Sequence, residues 1–76
     1  MVASAQLRAA RGLLNWTMRD LSERAGVHRN TIMRAETDAT AHGHAVAQVV
    51  MTLEAAGVKF LGEDGQGVGV RLRNSR

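Results

Sequence analysis

The stretch Thr17 to Glu36, TMRDLSERAGVHRNTIMRAE, constrains the fold more than any other part of this 76-residue chain. Two short amphipathic segments meet at one glycine, Gly26, and the chain contains no proline. Thr17 is suited to cap the first helix, Met18 to Ala25, with Asp20 completing a shortened capping box three residues on. Leu21 and Ala25 stand one turn apart on its inner face, while Arg19 and Glu23 face out. Gly26 then ends the helix, because glycine enters the left-handed region without steric cost. Helices this short are marginal alone and hold only when packed on neighbours.

The second segment predicts a helix from about His28 to Glu36. With Ile32 as its inward anchor, a rotation of about 100° per residue sends Asn30 and Arg34 to the opposite side, flanked by Thr31 and Met33. Arg29 is exposed in the first turn. Glu36 falls about 40° from Ile32 and so points partly inward. A charge leaning inward is costly unless paired. The upstream helix supplies a candidate partner in Arg11, which lies beside its own apolar stripe.

That upstream helix is expected from about Ala5 to Leu14, with Ser4 as N-cap and Leu7, Ala10 and Leu14 facing inward. Trp16, the only tryptophan, sits at the junction with the next helix and reads as a core or lid residue. After a polar loop over residues 37–43, a fourth helix is expected from about His44 to Ala56, with Val46, Val49, Val50 and Leu53 as its stripe and Gly57 closing it. The periodicity then changes from helical to two-fold. Val58-Lys59-Phe60-Leu61 and Val68 to Arg73 alternate around a turn-rich segment, so a β-hairpin over about 58–73 is expected. Phe60, Val68, Val70 and Leu72 would face the core or a partner; Lys59, Arg71 and Arg73 would face water. A lone hairpin is marginal in water, and its open edge is a candidate dimer seam.

Length and composition narrow the functional classes. Seventy-six residues form one domain at most. There is no cysteine to supply a disulfide or a thiolate zinc site. Self-association is the remaining aid to a small core, so a homodimer is expected. Ten Lys+Arg against seven Asp+Glu give a net charge of +3. The cations cluster at Arg8, Arg11, Arg19, Arg24, Arg29 and Arg34, and again at Arg71, Arg73 and Arg76, which suits a polyanionic partner. No apolar run reaches the ~18 residues of a membrane span, and no secretory signal is visible, so a cytoplasmic protein is expected. Ser4, Ser22 and Ser75 lack a His–Asp setting, and His42 and His44 lack a third metal ligand. The glycines of 62–69 lack the Lys-Ser/Thr and helix of a phosphate loop. No enzyme, metal or cofactor is expected.

The segment LRAARGLLNWTMRDLSERAGVHRNTIMRAE resembles the helix-turn-helix of Cro/CI-type regulators, the xenobiotic-response-element or lambda-repressor-like family. The similarity is carried by Leu7-Arg8-Ala9-Ala10-Arg11, Trp16-Thr17, Leu21, Ala25-Gly26-Val27, Asn30-Thr31-Ile32 and Glu36. It covers about residues 5 to 57, and the tail is similar to that of small bacterial members that end in a short β element. It implies a mainly α fold: a four-helix lambda-repressor-like domain, here with the C-terminal β-hairpin. It also implies Arg29, Asn30 and Arg34 as base-reading residues. Thr31 matches a position that often touches phosphate, and Arg11 with Glu36 matches the family's internal salt bridge. Three positions depart from the pattern. Met18 replaces a common DNA-contacting glutamine, His28 stands where a small polar cap is usual, and Thr37-Asp38 replaces a glycine.

The partner expected is therefore double-stranded DNA. The guanidinium forks of Arg29 and Arg34 suit guanine O6 and N7, and the Asn30 amide suits adenine. Thr17 and Arg19, at the positive end of the second helix, suit phosphate. A homodimer would present two such helices to a palindrome, as a repressor does. Two other readings use the same domain: an antitoxin that also holds a toxin, and a protein-interaction module that binds no DNA.

Overall fold

The computed structural model describes residues 2–38, 43–62 and 67–73. Four helices come first: α1 (Ser4–Leu13), α2 (Met18–Ala25), α3 (Arg29–Thr37) and α4 (His44–Ala55). Strands β1 (Val58–Leu61) and β2 (Gly69–Leu72) follow as an antiparallel pair. Most of the 37–43 loop and of the hairpin turn, together with His42, Ser75 and Arg76, lies outside the described residues.

The core is built from the expected apolar stripes. Leu7 and Ala10 of α1, Leu21 and Ala25 of α2, Ile32 and Ala35 of α3, and Val49 and Leu53 of α4 are all buried together with Val27 and Val58. Leu14, Trp16, Val46 and Val50 pack around them half-buried. α1 and α4 form the layer between the helix-turn-helix and the hairpin, since β2 packs chiefly on α1 and β1 on α4.

Several boundaries differ from expectation for identifiable reasons. Ser4 is the first helical residue and Ala3 the cap. The cause is Gln6, whose Oε1 accepts the Ala3 amide at 2.8 Å while its Nε2 donates to the carbonyls of Leu61 and Gly69 at 2.7 and 2.9 Å. One buried amide thus closes the start of α1 and ties it to the last pair of the hairpin. α4 stops at Ala55, one residue early.

The hairpin is shorter than expected, and its faces sort differently. Its register pairs Val58 with Leu72, Lys59 with Arg71, Phe60 with Val70 and Leu61 with Gly69. Val58, Phe60 and Val70 meet the core. Val68 and Leu72 do not: they remain 60% and 46% exposed, because no described residue covers the flank of β2. Lys59, Arg71 and Arg73 face solvent.

Candidate nucleic-acid interface

The two helices of the motif are set by their caps. Thr17 Oγ1 accepts the Asp20 amide at 3.0 Å, and Asp20 Oδ2 accepts the Thr17 amide at 2.9 Å. These bonds hold the Asp20 carboxyl below its ordinary range, with the Thr17 backbone amide as the largest cause. Gly26 takes φ +68, the left-handed conformation expected of it. Its amide and that of Val27 both return to the Ser22 carbonyl, and Ser22 Oγ donates to the Val27 carbonyl at 2.6 Å. The turn is thereby held from both sides.

α3 begins at Arg29, one residue later than expected, because His28 acts as its cap. His28 Nδ1 accepts the Asn30 amide at 3.1 Å. The ring nitrogen serves as acceptor through its lone pair, in the place of the usual hydroxyl or carboxylate oxygen. From there the helix turns Arg29, Asn30, Met33, Arg34 and Thr37 into solvent on one continuous face. Among the described residues, no hydrogen bond or ion pair engages the side chains of Arg29, Asn30 or Arg34. Thr31 is half-buried on the flank next to Arg34.

The inner side of α3 is anchored tightly. Glu36 is buried at 1% exposure, deeper than its helical angle suggests, and accepts two bonds from Arg11: Nε to Oε2 at 2.8 Å and Nη2 to Oε1 at 2.9 Å. The carboxylate holds the Arg11 guanidinium above its already high ordinary value. The third arm of Arg11, Nη1, donates to the Trp16 carbonyl at 3.1 Å. One guanidinium therefore joins α1, the α1–α2 junction and α3. The forked geometry makes arginine, not lysine, suited to this position.

Two further anchors escaped the sequence reading. Arg8 donates to the Glu36 carbonyl. Its only sequence signal was its place one turn before Arg11 on the same helix face. Gln48 of α4 donates to the Ala25 carbonyl at 3.0 Å, steadying the end of α2. The third residue missed, Gln6, did carry a signal, since it sits one turn before Ala10 beside the apolar stripe of α1.

At the entrance of α2, Thr17 and Arg19 are exposed. The Arg19 guanidinium rests 3.3 Å from Glu23, with both side chains open to water, a pair that costs little to break. The Arg24 guanidinium stacks 4.4 Å above the Trp16 ring. Trp16 is partly buried against the core, and the Arg24 guanidinium lies over its ring. Thr17, Arg19 and the first amides of α2 make a compact donor set at a positive helix end.

The arrangement is a short, rigidly seated helix with free hydrogen-bonding side chains, next to a second helix that offers its N-terminus. Among the described residues, no helix is long and apolar enough to cross a membrane. Residues 7–41 match the family model described as Helix-turn-helix. No curated protein matches the chain. The matched segment holds α1 from Leu7 onward, the capped α2–Gly26–α3 unit and the Arg11–Glu36 bond, the same features that carry the resemblance noted from the sequence. Residues 7–41 of the chain form a helix-turn-helix of the Cro/CI type, which supports a DNA-binding transcriptional regulator.

Proposed function

We propose that this regulator binds a palindromic operator as a homodimer and represses transcription there. Arg29, Asn30 and Arg34 read base edges in the major groove, while Thr17, Arg19 and Thr31 hold the phosphate backbone. The observation that carries this reading is the contrast between the two sides of α3. Its inner side is locked through Ile32 and Glu36, and its outer side keeps three polar side chains free of internal bonds. A rigid helix with uncommitted donors can meet base edges without first breaking contacts of its own.

One such helix reads only a few base pairs, so useful specificity needs two, about 34 Å apart on one side of the duplex. Repression follows from steric occupation of a promoter, for which the domain is sufficient by itself. The protein would then act in the cytoplasm, on the nucleoid. The test is selection of bound duplexes from random oligonucleotides, followed by titration at several salt concentrations. Enrichment of an inverted repeat, bound with a stoichiometry of two chains, is expected. The logarithm of the binding constant should fall linearly with log salt, with a slope of about −0.9 per phosphate contacted. Enrichment of no sequence at all would leave the interaction-module reading in its place.

A further inference from the structure

We infer that Met33 is a fourth specificity-determining residue of α3, and that it reads the C5 methyl of a thymine in the major groove. This rests on the DNA-reading face proposed above and adds one apolar contact to its polar ones.

The helix sets the position. At about 100° per residue, Met33 falls between Arg29 and Asn30, roughly 40° from the first and 60° from the second. Arg34 follows it directly. Met33 therefore occupies the middle of the reading face and not its rim, and all four residues belong to one regular helix. Its side chain is 46% exposed, outside the core that Ile32 and Ala35 join from the other side of α3. One turn further on, the Thr37 hydroxyl donates back to the Met33 carbonyl at 2.8 Å. That end of the face thus has no hydroxyl proton left for a base.

The chemistry of the side chain says what it meets. A lone exposed methionine elsewhere on a surface calls for no partner. Here the place decides. Once Arg29, Asn30 and Arg34 come within hydrogen-bond reach of base edges, the side chain among them is closed off from water. A thioether donates no hydrogen bond and accepts only weakly. Set against guanine O6, a purine N7 or a base amino group, it would strip water from a polar atom and return nothing. The apolar group that the four bases offer on the major-groove edge is the thymine methyl. An unbranched side chain with three rotatable bonds reaches it without moving the helix. An A·T pair read through its adenine by Asn30 carries such a methyl on its thymine, as does any neighbouring A·T pair. The thymine is therefore expected at or beside the pair that Asn30 reads.

The experiment measures the affinity of the full chain for the selected operator with each thymine in turn replaced by deoxyuridine. This removes the methyl and keeps every hydrogen-bonding group. The parent is compared with Met33→Ala, Met33→Leu and Met51→Ala, with circular dichroism to verify the fold of each. For the parent, removing the methyl of one thymine in a half-site should weaken binding about fourfold, the worth of one buried carbon. Met33→Ala should bind the unmodified operator more weakly and be indifferent to that methyl. Met33→Leu, apolar and of similar volume, should keep most of the dependence. Met51→Ala, on the exposed face of α4, should respond as the parent does. A parent indifferent to every methyl overturns the role of Met33, and so does a Met33→Ala variant that keeps every methyl dependence of the parent. Either result leaves the reading face standing as long as alanine at Arg29, Asn30 or Arg34 erases a base preference. Unchanged base preferences in all three of those variants overturn the reading face, and the role of Met33 with it.

Discussion

Replacing Glu36 by alanine should destabilise the protein through the arginine it leaves behind. Glu36 is fully buried, whereas the Arg11 side chain is 22% exposed. Breaking a buried ion pair from one side typically costs about 3–5 kcal/mol, because the remaining charge stays desolvated. Here Arg11 keeps its bond to the Trp16 carbonyl and can reach some water. The expected loss is therefore smaller, about 2–3 kcal/mol. For a domain of this size each kcal/mol shifts the melting temperature by about 4–8 °C, so a fall of roughly 10–20 °C is expected. The assay is thermal unfolding followed by circular dichroism at two protein concentrations, which separates protomer stability from dissociation. The double variant Arg11→Met/Glu36→Leu, apolar on both sides, should recover much of the loss. A Glu36→Ala melt within a degree or two of the parent would refute the reasoning. So would a double variant no better than the single one.

Three further outcomes follow from other contacts. Asp20 has a depressed folded pKa, so its contribution is present above its ordinary value of 3.8 and lost as pH falls through the lower folded value. The stability gap between the parent and Asp20→Asn, measured by urea titration, should therefore narrow as pH drops from about 5 to about 2. Gly26→Ala should cost about 1–2 kcal/mol by chemical denaturation. The strain at φ +68 is responsible, since the nearest atom to an added Cβ is Gln48 Nε2 at 4.0 Å. Gln6→Ala should cost about 1–2 kcal/mol; hydrogen exchange should quicken in the hairpin and leave α2 and α3 protected.

Much of this architecture was legible because local chemistry and packing agreed. Thr17 with Asp20, and Gly26 after Ala25, mark both ends of α2, and the caps formed as written. The approach of Arg11 to Glu36 followed from two charges leaning inward on separate helices. Contacts with no local signature were not legible. Gln6 bonds carbonyls 55 and 63 residues away, and Gln48 bonds one 23 residues away. Such bonds depend on how the helices are arranged, which periodicity does not encode. The same limit explains Val68 and Leu72. Alternation marks them as apolar-face residues, but only the assembled fold shows that the described residues leave them uncovered. His28 shows the reverse case, in which a residue unusual for a cap still serves through Nδ1.

The central claim is that Arg29, Asn30 and Arg34 read bases from a rigid helix. Its most direct test is to measure the affinity of the parent and of each alanine variant across every single-base change in the selected operator. Each variant should lose about 1–3 kcal/mol on the preferred site and become indifferent to the base at one position, with its melting temperature unchanged. Variants that keep the parent's base preferences at every position would contradict the account.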